Sequence, residues 1–146
     1  MADTSISDHL NTALADATVL WYALHNDHWN VTGEQFFALH QKFEEMYTAW
    51  GEHSDAIAER ILALGGLPVG TLKNVLERST LAERKGNPDA VGRVRQLASD
   101  LTAIHATMRT VIEAGEEIGD RGTVNLLDGI CDEIETDRWM LRAFAE

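Results

Sequence analysis

Apolar residues recur at helical spacing through most of this chain. Leu10, Leu14, Ala17, Trp21, Leu24 and His28 are spaced 4, 3, 4, 3 and 4 apart, which predicts an amphipathic helix from about residue 5 to 30 with His28 closing its apolar stripe. The stretch "VTGEQ" at 31–35 reads as a stop and a restart, with Thr32 as N-cap and Gln35 as its capping-box partner. A second helix follows from about 34 to 64, ended by Gly65 and Gly66 and kept from resuming by Pro68. "TLKNVLERS", 71–79, predicts a short helix. "GNPDA" opens a third long helix at about 88–118, with Asn87 as N-cap and Pro88 at the first helical position. "GDRGT" breaks it, and a last helix covers about 121–144 with apolar Val124, Leu127, Ile130, Ile134, Met140 and Leu141.

Four long helices with one extended crossover, itself holding a small helix, predict an all-α, ferritin-like four-helix bundle rather than an up-down bundle with short loops. No strand pattern, repeat or low-complexity stretch competes. At 146 residues and 45% hydrophobic, residues 1–146 read as a single domain able to bury a core.

Charge adds a preference for partners. Twelve Lys and Arg stand against 24 Asp and Glu, a net charge of −12 without a basic block at either end. Such a chain repels nucleic-acid phosphate on average and attracts cations; plain solubility is the alternative use of the charge. The single cysteine, Cys131, can form no internal disulfide, so a reducing compartment is expected and Cys131 reads as a small apolar packing residue. "MADTSISDHL" has neither a basic nor an apolar signal region, and no later apolar run approaches spanning length. A cytoplasmic protein without a membrane segment is the expectation.

The candidate chemistry lies on the second helix. Two-iron bundles usually carry Glu-x-x-His on two helices, and no Glu in this chain has a His three residues later, so a di-iron centre inside one bundle is not expected. His40, Glu44, Asp55 and Glu59 nevertheless fall on one arc at about 0°, 40°, 60° and 100°, beside the core stripe of Phe36, Phe43, Tyr47, Trp50, Ile57 and Ile61. One metal cannot take all four. His40 to Glu59 spans roughly 28 Å and Glu44 to Asp55 roughly 16 Å at 1.5 Å per residue, against ligand bonds of about 2 Å. Both pairs, however, are centred on position 49.5. Two copies of this helix crossing antiparallel there would bring each pair together across an isologous two-fold. Thr48 and Gly51, small residues near that midpoint, suit a close crossing. His28 would join His40 from one chain and face Asp55 and Glu59 of the other. Of the remaining histidines, His9, His53 and His105 read as structural. His25 reads as a helix-end polar residue, with an accessory metal contact as the alternative.

"HNDHWNVTGEQFFALHQKFEE" followed by "DAIAERILALGG" resembles the signature of the Dps family, the mini-ferritins or DNA-binding proteins from starved cells, and the resemblance continues to the closing "RWMLRAF". It implies a homododecamer of tetrahedral symmetry, hollow, with ferroxidase sites at its two-folds and ferric mineral inside. Carried over by position, His28, His40 and Glu44 come from one subunit and Asp55 and Glu59 from its two-fold partner. The family usually has Asp where Glu44 stands. Ferrous iron would be oxidised by hydrogen peroxide, the family's typical preference, or by oxygen, each peroxide taking one electron from each of two ferrous ions. Trp29 resembles the family's radical-intercepting tryptophan; packing is the competing role for it, as for Trp21 and Trp50. Asp120 and Asp128 lie where the family lines an iron-entry pore, although Asn125 stands near the usual mid-pore acid and solvated helix acids are the competing reading. Family members that bind DNA well often use a basic tail. This chain has Asp3 and Asp8 at one end, "AFAE" at the other and only three lysines, Lys42, Lys73 and Lys85. DNA binding is therefore expected to be weak or absent unless Mg2+ bridges it, and a DNA-compacting protein with secondary metal sites is the alternative function.

Overall fold

A computed structural model describes residues 4–146, with the side chains of residues 4 and 5 left aside. Five helices form in order: α1 Thr4–Asn30, α2 Phe36–Ala63, α3 Leu72–Arg78, α4 Ala90–Glu117 and α5 Arg121–Ala145. There is no strand among the described residues. The pattern-based bounds hold to within two residues at most helix ends, and the fold is the expected all-α four-helix bundle.

Two antiparallel hairpins make the bundle. α1 packs along α2 and α4 along α5, α1 also lies on α4, and the small α3 leans on α1. Asp27 meets Arg93, Asp16 meets Thr107, and Ile6 adjoins Gly115, so α1 and α4 run antiparallel and the 64–89 crossover must travel the length of the bundle. The α2 and α5 seam is wider and is held by long polar side chains. Lys42 donates to Asp137 at 2.9 Å, Arg60 to Asp120 at 2.6 Å, and His53 pairs with Glu133.

The core follows the apolar stripes. Leu10, Leu14, Ala17 and Leu24 of α1, Phe43, Trp50, Ile57 and Ile61 of α2, and Leu127, Ile130, Ile134 and Leu141 of α5 are all buried in one cluster. Cys131 is buried and free, and its thiol is pushed up to about 11 by burial and then by the charges of Glu135 and Asp128. Two expected core positions differ. Met140 is 44% exposed and Trp21 37%.

The helix starts depart from the sequence reading in two places. No capping box forms at α2: Gln35 is the N-cap without a side-chain bond, and the turn is closed by the Phe36 N–H donating to the Gly33 carbonyl. At α4 the N-cap is Asp89, whose carboxylate accepts from the Gly92 N–H at 2.8 Å, so Pro88 stands before the helix instead of inside it. Asn87 is drawn off to accept from Arg93. The C-terminal ends behave as expected: Gly65 adopts φ +85° and its neighbour's N–H returns to the Ile61 carbonyl, satisfying an end-of-helix acceptor.

Candidate metal centre

The 31–35 turn lays the last turn of α1 beside the second turn of α2 and so brings His28 to His40. The two imidazoles stack, with centroids 3.7 Å apart and planes 13° from parallel. Each Nδ1 lies 2.7 Å from the other residue's backbone carbonyl oxygen. A carbonyl only accepts, so both Nδ1 atoms carry a proton, and in the neutral form of each ring the lone pair is on Nε2. This is the outer hydrogen bond that fixes tautomer and orientation in metal-ligating histidines. Phe36 stacks on His40 at 4.9 Å and the Tyr47 edge meets His28 at 5.3 Å. His28 is buried and His40 half-buried.

The acids stand apart from this pair and from one another. Glu44, one turn beyond His40, is exposed, and its Oε1 accepts from the Tyr47 hydroxyl at 3.3 Å. The phenol's pKa is raised, by burial first and then by the charge and hydrogen bond of Glu44. Asp55 and Glu59 are exposed, and neither makes a hydrogen bond or ion pair among the described residues. No three His, Cys, Asp or Glu side chains among the described residues converge tightly enough to hold a metal. One chain therefore presents an oriented histidine pair with one carboxylate, and two further carboxylates elsewhere along the same helix. Gly51, expected to ease a helix crossing, has Trp21 of its own chain as neighbour, with the indole Nε1 3.4 Å from where a Cβ would stand.

Behind His28 lies a buried charge cluster that sequence reasoning missed. Asp27 is fully buried and accepts from Arg84 Nη2 at 2.8 Å and from Arg93 Nη1 at 2.9 Å. Arg84 also donates to Asp100 at 2.5 Å, and Arg93 to Asn26 and Asn87. Burial alone would lower the Arg84 pKa, but Asp27 and Asp100 outweigh it and hold the guanidinium charged. For Asp100 burial wins over Arg84 and its pKa is raised. Asp16, likewise fully buried, accepts from the Ser79 hydroxyl, from the N–H and hydroxyl of Thr80 and from the Thr107 hydroxyl. Both carboxylates tie the crossover to α1 and α4. The signal that could have found Asp27 was its place on the core side of α1, one residue before the end of the stripe.

The remaining candidates fall as follows. Trp50 is in the core, whereas Trp29 is 58% exposed, meeting Tyr22 in a T-shaped contact and His25 at a 59° tilt. His105 pairs with Glu135 and His53 with Glu133, both structural roles. Asp120 is the N-cap of α5, accepting from the Thr123 N–H and hydroxyl and from Arg60. Burial would raise its pKa, but these donors outweigh burial and hold it below the ordinary carboxylate value. Its oxygens are thus committed within the chain, unlike those of a free pore acid. Asp128 is exposed, in a groove with Glu116, Arg121 and Asn125.

Comparison with known proteins bears on the family and the fold. The family model described as a Ferritin-like domain matches residues 7–146. "DNA protection during starvation protein 2" of Bacillus anthracis is 46% identical over 92% of this chain and 92% of its own length. Among solved structures, a Dps protein from Bacillus brevis superposes with a TM-score of 0.97 at 37% identity, covering all of both chains. The Vibrio cholerae Dps protein, described as a member of a broad superfamily of ferritin-like diiron-carboxylate proteins, reaches 0.94 at 31% identity, over 98% of this chain and 90% of that one. A four-helix bundle with a helical crossover, a stacked histidine pair between its first two helices and likeness along nearly the whole chain together make this protein a member of the Dps family within the ferritin-like superfamily.

Proposed function

We propose that this protein is a ferroxidase and iron-storage mini-ferritin that assembles as a hollow dodecamer. The observation that carries this is the reciprocal His28 and His40 pair, whose Nδ1 atoms are both engaged by backbone carbonyls, leaving Nε2 of each stacked ring as the nitrogen available to a metal. The unpartnered Asp55 and Glu59 supply the second half, from the two-fold partner. Imidazole and carboxylate suit ferrous iron, and without thiolates the product is not held too tightly to leave. Few protein ligands keep coordination positions free for water and oxidant.

Iron is substrate and cargo in this reading. Hydrogen peroxide takes one electron from each of two ferrous ions, its O–O bond breaks, and two protons complete two waters; the ferric ions hydrolyse to mineral inside the shell. No one-electron cleavage of peroxide occurs, so hydroxyl radical is avoided. The net charge of −12 per chain draws cations and disfavours direct contact with nucleic-acid phosphate. Protection of DNA, the property in the relatives' names, would then come through removal of iron and peroxide.

The test is anaerobic loading with ferrous iron, then peroxide or oxygen, with mineral formation followed optically. Wild type should oxidise and retain the iron, and His28→Ala/Asp55→Ala should lose most of the catalysed rate. Equal rates in the two would overturn the site. Light scattering reads the assembly, and a low-salt gel shift should find little DNA retained.

A further inference from the structure

Glu44 is the one proposed ligand from the same chain as the histidine pair whose reach that pair leaves undetermined. It is exposed on α2, and its side chain has one more rotatable bond than the aspartate usual at this position. A free glutamate there would spread over several rotamers and would have to be ordered when metal arrives, at a cost in side-chain entropy. It is not free, because the Tyr47 hydroxyl, one turn further along the same face, donates to Oε1 at 3.3 Å.

Tyr47 is itself held from α1. Its ring stacks on His25 at 3.8 Å and 24°, and its edge meets His28. The Nδ1 of His25 donates to the Trp21 carbonyl at 2.8 Å, which fixes that imidazole's plane. A continuous chain of contacts therefore runs from the α1 backbone through His25 and Tyr47 to Glu44, and Tyr47 touches both the carboxylate and the histidine half of the same chain's ligand set.

We propose that Tyr47, braced by His25, is a positioning residue that restricts the Glu44 carboxylate one turn beyond His40 and leaves its second oxygen free for a metal bound at the His28 and His40 pair. The inference rests on the iron-site reading above. It gives the glutamate in place of aspartate a physical accommodation: the longer side chain reaches a neighbouring hydroxyl, and that bond removes the freedom the extra methylene introduced. It also gives His25 a function in bracing, without making it a ligand.

The experiment is an anaerobic Co2+ titration of the assembled protein, followed by calorimetry and by the visible absorption of the bound ion. Tyr47→Phe keeps the ring stack and removes only the donor. It should weaken Co2+ binding by about tenfold, the lower end for loss of a hydrogen bond to a metal ligand, and alter the absorption spectrum. In a Glu44→Gln background the same substitution should have no further effect, since Tyr47 acts through the carboxylate. His25→Leu, which leaves the hydroxyl but removes the brace, should fall between wild type and Tyr47→Phe. Unchanged affinity in Tyr47→Phe would overturn the proposal while leaving the metal site standing, and so would an equal loss with and without Glu44. Co2+ binding that His28→Ala leaves intact would instead overturn the site reading and this inference with it.

Discussion

Asp27, Arg84, Arg93 and Asp100 lie buried where α1 meets the crossover and α4, and they saturate one another. Glu44, Asp55 and Glu59 stand in solvent along α2, and the last two have no partner among the described residues. Each region spends acidic residues in a different way. Charge sealed inside is tolerable only if every member is paired and hydrogen-bonded, so such a cluster belongs to the fold. Unpaired carboxylates on a helix surface contribute little to folding and remain available to a cation or another subunit. Acidity alone does not mark the site; lack of an internal partner, beside an oriented histidine pair, does.

The sharpest way to break this contrast is Asp27→Ala. It removes the carboxylate shared by two buried guanidiniums, leaving Arg93 without a charged partner and Arg84 with Asp100 alone, and should cost about 3–5 kcal/mol in denaturant unfolding. Asp16→Ala comes next. It leaves the Thr80 N–H and the surrounding hydroxyls without their acceptor, and about 1–3 kcal/mol should be lost, with the crossover the first segment to lose hydrogen-exchange protection.

Asp120→Ala removes an N-cap and should cost about 1 kcal/mol. The pH dependence of that site has a definite sign. The folded pKa of Asp120 lies below its unfolded value of 3.8, so its stabilisation is complete above that value and disappears as the pH falls through the lowered one. Asp120→Asn should therefore flatten part of the acid limb of a stability profile taken downward from about pH 5. Asp55→Ala has the smallest expected effect on stability, within about 0.5 kcal/mol for an exposed unpaired side chain, yet under the proposed function it should abolish most iron oxidation. A large loss of stability there, with oxidation intact, would reverse the comparison.

Much of this was readable along the chain. Apolar spacing located every helix, and "GG" and "GDRGT" located two of the breaks, because periodicity and glycine act locally. The His28 and His40 pairing could be anticipated from the short turn, although its cause is the 31–35 turn itself and not a capping box. At α4 the cap moved from Asn87 to Asp89 because a buried arginine competed for the asparagine. Tyr47 looked like a core residue because helical position predicts burial and does not predict which atom a hydroxyl meets. Asp27 has no role that pattern alone assigns. Its partners lie at positions 84 and 93, and separations of that size leave no periodic trace.

The sequence by itself determined where helices form, which stripe of each is buried, and that two acids and a histidine with its acid share one face of α2. These are consequences of a fixed rise and turn per residue. Only the tertiary structure decided which charges are internal, which nitrogen of each histidine is left bare, and which hydroxyl holds Glu44. Those depend on groups far apart along the chain meeting within hydrogen-bond distance, which a one-dimensional pattern does not encode.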